Sequence, residues 1–382
     1  MGSAAGIPGR WFTCWPRRLA WSRTQAFHAC NTGSNPVGVI LVVAYNYDAV
    51  LIVSFGGPER PEDVMPFLEN VVRGKPVPRE RLLEVAEHYY LFGGRSPINA
   101  QNRALKAALE AELARHGPRL PVYLGNRNWH PLLADTLAQM GRDGVRQALG
   151  IFTSAYSSYS SCRQYLENIA DAQAVVGATA PSVSKLRAYF NHPGFIEPMI
   201  ERTGAAMSQI DEQRRPDAYL LFTAHSIPQV MADGCRYQQQ LAESSRLVAA
   251  GVGAAQYRLV YQSRSGPPSQ AWLEPDINDA LGELAAAGVR DVVVVPIGFL
   301  SDHLEVLFDL DTEARDRCVQ LGINMVRAET VGSHPRFVQM VRELICERIA
   351  QPSERTVVGL FGPCPDVCPA DCCPRASSPT PH

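Results

Sequence analysis

The chain has 382 residues, 46% of them hydrophobic and 19% charged, which suits one large or two ordinary globular domains and excludes a disordered chain. The formal net charge is −2, so composition gives no support to nucleic-acid binding, and no apolar run reaches the roughly 18 residues of a transmembrane helix. Ten cysteines in a chain of this length do not indicate a secreted disulfide scaffold, so we expect a cytoplasmic protein.

Residues 1–45 show no helical or strand periodicity. Trp11, Trp15 and Trp21 are scattered among Arg, Gly and Pro residues. A secretory signal would need a continuous apolar core after its basic start, and this segment has none. We interpret the segment as a disordered N-terminal extension, or as the result of a start codon assigned too early, with the folded part beginning near Tyr47.

From residue 46 onward, strand patterns and helix patterns alternate. Short β-branched runs predict strands at 47–54, 121–125, 147–153, 218–223, 257–262, 292–296 and 324–327. Helical apolar periods predict helices at 61–72, 78–90, 99–116, 132–142, 162–174, 239–251, 277–287 and 335–348. This alternation indicates parallel sheets built from βαβ units. We predict a domain at 46–190, a second at 191–350 that carries the metal-binding residues, and a Cys- and Pro-rich tail at 351–382.

Three acidic residues, Glu305, Asp309 and Glu313, follow the predicted strand at 292–296 with a spacing of four. On a helix they would form one stripe, and like charges at this spacing repel by a few tenths of a kcal/mol per pair. A solvated helix face is one explanation of the stripe. Because it begins at the carboxyl end of a strand, where open α/β sheets bind ligands, we favour a cation site.

His225 also follows a predicted strand, at 218–223. Taken alone, it is as consistent with a structural hydrogen-bonding histidine as with a functional one. A histidine and a carboxylate such as Glu305 that face each other across a cleft can hold a divalent first-row metal ion and take up protons. The first strand similarly ends in a glycine turn at Phe55, where backbone could approach a ligand, although an ordinary turn explains it as well.

The cysteines suggest a second site. Cys364, Cys368, Cys372 and Cys373 lie within ten residues of the tail, and Cys162 stands apart after a predicted strand. Iron–sulfur clusters take four thiolates. A structural zinc site is the main alternative, and unliganded reactive thiols are a third.

Four motifs, read together, identify a family. They are Gly93-Gly94-Arg95-Ser96-Pro97, Thr223-Ala224-His225-Ser226-Ile227-Pro228, Tyr261-Gln262-Ser263 and Asp302-His303-Leu304-Glu305-Val306-Leu307. In this order, over about 47–348, the chain resembles the ferrochelatases. The resemblance implies two Rossmann-like (chelatase-type) domains, each a parallel β-sheet flanked by helices, with a porphyrin cleft between them. It implies insertion of Fe(II), the metal substrate, into a free-base porphyrin.

The same resemblance implies roles for individual residues. His225 and Glu305 would be the catalytic, metal-binding and proton-handling pair, and Asp309 and Glu313 would continue the acidic metal path. The expected porphyrin-binding residues are Ser96, Tyr165 and Phe55. Some family members carry a Tyr at the position of Phe55. Because Phe has no oxygen, metal ligation from that side is not expected, and Phe55 would pack on the ring instead.

Some ferrochelatases hold a [2Fe–2S] cluster with one internal cysteine and three near the C-terminus. The resemblance therefore implies a cluster bound by four of the five cysteines Cys162, Cys364, Cys368, Cys372 and Cys373. The cysteine pattern is of the actinobacterial type, which implies coproporphyrin III as substrate and enzymes of haem biosynthesis as protein partners. Protoporphyrin IX as substrate, a cobalt or nickel chelatase, which would tend to use paired histidines, and a non-catalytic tetrapyrrole or metal carrier are the alternatives.

Overall fold

The computed structural model describes residues 46–267 and 269–375, so the interpretation of residues 1–45 lies outside the described residues. Two four-stranded sheets form the framework, and all neighbouring strands in both are parallel. The strands are β1 (Ala49–Ser54), β2 (Val122–Asn126), β3 (Gln147–Phe152), β4 (Ser182–Lys185), β5 (Tyr219–His225), β6 (Tyr257–Gln262), β7 (Asp291–Val295) and β8 (Asn324–Arg327). The predicted α/β class with parallel sheets is confirmed.

Helices cover both sheets. They are α1 (Val64–Val71), α2 (Arg79–Leu91), α3 (Ile98–His116), α4 (Leu133–Arg142), α5 (Gln164–Val176), α6 (Pro193–Met207), α7 (Gln229–Asp233), α8 (Tyr237–Val252), α9 (Ile277–Ala286), α10 (Leu304–Phe308), α11 (Arg315–Leu321) and α12 (Pro335–Ala350). Two π-helical turns, Tyr159–Arg163 and Asp309–Ala314, precede α5 and α11. No helix in the described ranges is long and apolar enough to cross a membrane.

Strand order explains where a ligand can bind. The first sheet runs β2-β1-β3-β4 and the second runs β6-β5-β7-β8. The order in which strands are added to the sheet therefore reverses between β1 and β3 and again between β5 and β7. In open α/β sheets, ligands bind beyond the carboxyl ends of the strands at such a reversal. The ends of β1 and β5 are Ser54 and His225, which places both predicted cleft walls at these points.

Packing joins the two halves. One hydrophobic core contains residues of both sheets, among them Ile52 of β1 and Phe222 of β5. Helix α12 packs against both α3 and α6, and Arg342 of α12 donates to the carbonyl oxygens of His116 and Gly117. The division into domains at residue 190 stays a prediction.

The described part of the tail, residues 351–375, is held against this body. Arg187 is almost fully buried and donates to Glu347 of α12 and to the Thr356 carbonyl oxygen. Asn191 exchanges backbone and side-chain hydrogen bonds with the tail at Val358 and Phe361. The tail therefore reaches the first half of the chain, near Cys162.

Candidate active site

The site centres on His225 and Glu305, which the structure brings together as predicted. His225 is the last residue of β5, and Glu305 lies in the first turn of α10, after the neighbouring strand β7. His225 Nε2 is 3.7 Å from Glu305 Oε2, and the two side chains are 34% and 45% exposed. Both groups are thus partly accessible to solvent and close enough to share one metal ion or one proton.

Hydrogen bonds fix the orientation of the imidazole. The Nδ1 atom of His225 contacts the carbonyl oxygen of Ser226, so Nδ1 carries the proton and Nε2 faces Glu305. The Tyr237 hydroxyl donates to the His225 carbonyl oxygen over 3.1 Å. Partial burial opposes the charge on His225, but the charge and hydrogen bond of Glu305 dominate and raise the His225 pKa to about 9.

The carboxylate shows the reverse effect. Burial would raise the pKa of Glu305, but His225 and His303 together lower it to about 2. His303 is the N-cap of α10, and its Nδ1 accepts from the Glu305 backbone N–H over 3.2 Å. Burial lowers the pKa of His303, and the charge of Glu305 opposes that shift. As the N-cap of α10, His303 orients Glu305. Sequence reasoning missed this capping role of His303.

The acidic stripe continues from Glu305, but not on a regular α-helix. Helix α10 ends at Phe308, and Asp309 begins a π-helical turn that ends at Ala314. The spacing of four between Asp309 and Glu313 thus falls on a π-turn and not on an α-helix. The charge of Glu313 still raises the pKa of Asp309, so the two carboxylates stay near each other. Asp309 is half-buried and Glu313 is exposed, as for carboxylates that lead from solvent towards a site.

Asp309 is held by two residues of the β6 end. Ser263 Oγ donates to Asp309 Oδ2 in a short hydrogen bond, and Gln262 Nε2 lies 3.3 Å from the same oxygen. Burial raises the pKa of Asp309 to about 7, and repulsion from Glu305 and Glu313 adds to the shift. Ser263 has a φ of 61°, a strained conformation that often marks functional positions.

On the first sheet, the three predicted porphyrin contacts differ in exposure. Phe55 is 36% exposed and directs its ring edge-on to Phe67 at 6.2 Å. Ser96 is buried against the glycine turn, where a Cβ on Gly57 would come within 2.8 Å of its own Cβ. Tyr165 is buried against Phe152. Of these three residues, only Phe55 therefore offers much surface to a ligand, because Ser96 and Tyr165 are buried.

Arg127 links two of these residues and was missed from the sequence. Its guanidinium lies 4.6 Å from the Tyr165 ring centroid and 5.6 Å from that of Phe55, and its Nε donates to Asn168 over 2.6 Å. Among the described residues, no carboxylate forms an ion pair with Arg127. Its position directly after β2 could have suggested it, since the other site residues also follow strand ends.

An apolar cluster connects the two walls of the cleft. Phe67, Tyr89 and Leu304 belong to it. Phe67 contacts Phe55 and Leu304 precedes Glu305, so residues next to both site residues pack in one cluster. Tyr89, which sequence reasoning also missed, has its pKa raised by burial and by the charge of Glu305. Its helical spacing is typical of a core residue, and only the fold shows that it lies beside the carboxylate.

Four of the five predicted cluster cysteines lie around one cavity, and the fifth lies nearby. Cys162, Cys368, Cys372 and Cys373 line one cavity, with Cys372 Sγ 3.6 Å from Cys373 Sγ. Cys364 lies beside them and accepts from Gln240 Nε2 over 3.6 Å. Within 46–267 and 269–375, no three His, Cys, Asp or Glu residues form a preassembled metal site.

The chemistry of these donors still fits a thiolate-bound metal centre. Thiolates around a tetrahedral ion at about 2.3 Å stand roughly 3.8 Å apart, close to the Cys372–Cys373 separation of 3.6 Å. A hydrogen bond from Cys162 lowers the pKa of Cys368 to about 5, against the effect of burial and with help from the charge of Lys185. The cysteine sulfur atoms around this cavity are therefore ligands of the type that iron–sulfur clusters use.

Comparisons with known proteins agree with the geometry. The family model described as Ferrochelatase matches residues 47–349. A protein of Rhodopirellula baltica named ferrochelatase is 56% identical over 328 residues, covering 86% of this chain and 93% of its own. A coproporphyrin III ferrochelatase of Frankia alni is 52% identical over 361 residues, covering 91% and 90%. A solved structure of SirB from Bacillus subtilis with Fe³⁺ is 14% identical, with a TM-score of 0.48, and covers 80% of this chain and 98% of its own. The family match spans both sheets, and this chain therefore belongs to the ferrochelatase family.

Proposed function

We propose that the protein inserts Fe(II) into free-base coproporphyrin III and releases Fe-coproporphyrin III, a step of haem biosynthesis. The observation that carries the proposal is the 3.7 Å contact between His225 and Glu305 at the chain reversal of the second sheet. It joins a proton acceptor to a metal-binding carboxylate within an open cleft. The names of relatives about 50% identical support coproporphyrin III as the substrate.

The reaction removes two protons from the porphyrin. Fe²⁺ and the free-base porphyrin yield the iron porphyrin and two H⁺, so the site must accept protons on the face of the ring opposite Phe55 or pass them to water. Because the pKa of His225 is about 9, Nε2 first releases its own proton to solvent. It then accepts a pyrrole proton, and Glu305 stabilises the imidazolium that forms again. The proton then leaves to solvent, because both side chains are partly exposed.

Metal delivery uses the acidic stripe formed by Glu305, Asp309 and Glu313. Fe(II) arrives hydrated, and each carboxylate replaces one water ligand, so the ion loses its shell in steps rather than all at once. Glu313 is exposed and Asp309 is half-buried, which gives an order of approach towards Glu305. A carboxyl with a pKa near 7, as at Asp309, exchanges a proton for the metal at little cost.

Arg127 supports a carboxylate-rich porphyrin. Its guanidinium is stacked on the ring of Tyr165 and lies near Phe55, with no acidic partner in the described part of the chain. Coproporphyrin carries four carboxylates and protoporphyrin two, so a free guanidinium at the cleft favours the former.

We also propose that the thiol site holds a [2Fe–2S] cluster. Cys162 and Cys368 are in direct contact, and two of Cys364, Cys372 and Cys373 complete the ligand set, with one spare. The cluster, when bound, supplies a redox-active and structurally rigid centre.

None of the eight cysteines in the described ranges forms a disulfide. We therefore expect the protein to act in the cytoplasm, where thiols stay reduced, beside other enzymes of haem biosynthesis.

The test is an anaerobic assay. Purified protein is mixed with Fe(II) and either coproporphyrin III or protoporphyrin IX, and the visible absorbance follows metallation. We expect faster turnover of coproporphyrin III. Equal or faster turnover of protoporphyrin IX would overturn the substrate assignment. Tight porphyrin binding without metallation would indicate a carrier, and metallation by Co(II) or Ni(II) alone would indicate another chelatase.

A further inference from the structure

Lys185, the last residue of β4, has an unusual set of partners. It is 8% exposed, yet its ammonium donates to sulfur: Nζ is 3.1 Å from Cys162 Sγ and 3.6 Å from Cys368 Sγ. Among the described residues, no carboxylate forms an ion pair with it. An isolated buried ammonium costs several kcal/mol unless an anion compensates it.

The other cations around the thiols do not share this arrangement. Arg163 donates to the carbonyl oxygens of Ala370 and Cys372, and Arg348 pairs with Asp366 at 3.2 Å. These arginines hold the backbone or a carboxylate of the tail. In the described part of the chain, Lys185 is thus the cation directed at the sulfur atoms themselves.

A neutral thiol is a weak acceptor without charge, so Cys162 and Cys368 balance the ammonium only where they are thiolates. Thiolates bound to a metal centre supply both a strong acceptor and negative charge. A [2Fe–2S] cluster with four thiolates carries net negative charge in both oxidation states, and its reduced form carries one more negative charge. A buried positive charge within hydrogen-bond distance therefore stabilises the bound cluster and favours its reduced form.

We propose that Lys185 is a positioning residue for the thiol site: by donating to Cys162 and Cys368 it retains the iron–sulfur cluster and raises its reduction potential. This inference rests on the cluster proposed above. It concerns no step at His225 or Glu305, which belong to the other sheet.

Four proteins test the proposal after anaerobic purification: the unchanged chain, Lys185→Met, Lys185→Arg and Arg348→Gln. Met removes the charge with similar volume, Arg keeps the charge, and Arg348→Gln removes a nearby cation that faces Asp366 instead. Iron and sulfide content, cluster loss under a chelator and reduction potential by spectroscopic redox titration are measured. Metallation of coproporphyrin III by each variant checks that the fold persists.

We expect Lys185→Met to lose its cluster to the chelator about tenfold faster or more, and to show a lower reduction potential in the fraction retained. Lys185→Arg should recover both properties in part, and Arg348→Gln should match the unchanged chain in potential. If the unchanged chain contains a cluster but Lys185→Met keeps the same potential and chelator resistance, this inference alone is wrong. Absence of iron and sulfide from the unchanged chain overturns the cluster and the role of Lys185 together.

Discussion

His225 and Glu305 form a pair in which one proton and one metal ion compete for the same space. We expect His225→Ala and Glu305→Gln each to lower kcat roughly 100-fold or more, since general acid–base groups contribute at least that much. Glu313→Gln, on the exposed end of the acidic stripe, serves as the matched control and should mainly raise the KM for Fe(II). Steady-state metallation rates separate the two effects. A larger loss in kcat at Glu313 than at Glu305 would reverse this ordering.

The pair also predicts a pH dependence for metal binding. Glu305 raises the His225 pKa to about 9, so below pH 9 an incoming ion must displace a proton from Nε2. The dissociation constant for Zn(II), an air-stable probe, should therefore fall about tenfold for each unit of rising pH below 9. In Glu305→Gln the His225 pKa drops. The pH range in which the dissociation constant falls should therefore move to lower pH, although binding weakens. If this pH range does not move in Glu305→Gln, a group other than His225 controls the pH dependence of Zn(II) binding.

Asp309 predicts that the stability of the folded protein falls as the pH rises. Its folded-state pKa, about 7, lies above the ordinary value of 3.8, so folding favours the protonated carboxyl. The resulting cost is absent below pH 4 and grows to its full size above pH 7. Asp309→Asn should stabilise the protein at pH 8 by about 1–3 kcal/mol, less than the roughly 4 kcal/mol that three pKa units represent, because water partly screens the group.

Urea unfolding at several pH values measures this gain. It should shrink as the pH approaches 4, and Asp171→Asn, on an exposed position of α5, should show no such trend. A pH-independent gain would mean that packing, not charge, explains it.

Site residues differ in how far the sequence could reveal them. His225 and Glu305 follow strands whose apolar runs are easy to recognise, so their meeting at one sheet edge could be predicted. The roles of Arg127 and Tyr89 depend on contacts between distant segments. Arg127 lies over Tyr165, and the charge of Glu305 raises the pKa of Tyr89. No local pattern encodes such contacts.

At the scale of elements, buried strands were predicted well and short or interrupted ones were missed. Strand β6 (Tyr257–Gln262) matches its prediction. Strand β4 (Ser182–Lys185) has four residues with three polar side chains, so it lacks the apolar run of the other strands. Helix α6 (Pro193–Met207) contains Pro198 in its interior and Gly194 in its first turn, and both residues have low helix propensity at such positions. Tertiary packing overrides that propensity.

Arg187 illustrates how one side chain joins several elements. It pairs with Glu347 of α12 at 2.6 and 2.9 Å while also donating to the tail carbonyl of Thr356. Arg187→Met leaves the Glu347 carboxylate with Arg355 alone, 3.7 Å away, and should cost up to about 3–5 kcal/mol. The double variant Arg187→Met/Glu347→Leu should recover part of that loss. Arg81→Met, which breaks an exposed pair with Glu84, should cost under about 1 kcal/mol. Denaturant unfolding of these three variants and of the unchanged chain decides whether the buried pair acts as a unit.

At the scale of the whole molecule, the tail is attached in two separate ways. Between residues 356 and 366, it is held by Arg187, by Asn191, by Glu243 and by the pairing of Asp366 with Arg348. Beyond residue 366, contact depends on the thiols and on the hydrogen bonds from Arg163. A cluster shared by Cys162 and the tail would therefore secure mainly the last described segment.

This division predicts the outcome of removing the cluster. A link between Cys162 and Cys368 closes a loop of roughly 200 residues, for which chain-entropy models give about 5 kcal/mol. Since the contacts at 356–366 already close most of that loop, we expect Cys162→Ser to lose much less. Hydrogen–deuterium exchange should increase at 367–375 but not at 356–366, and Cys318→Ser, a buried cysteine of α11, should leave both segments protected. Faster exchange across the whole of 351–375 in Cys162→Ser would mean that the thiol site, and not the polar contacts, holds the tail in place.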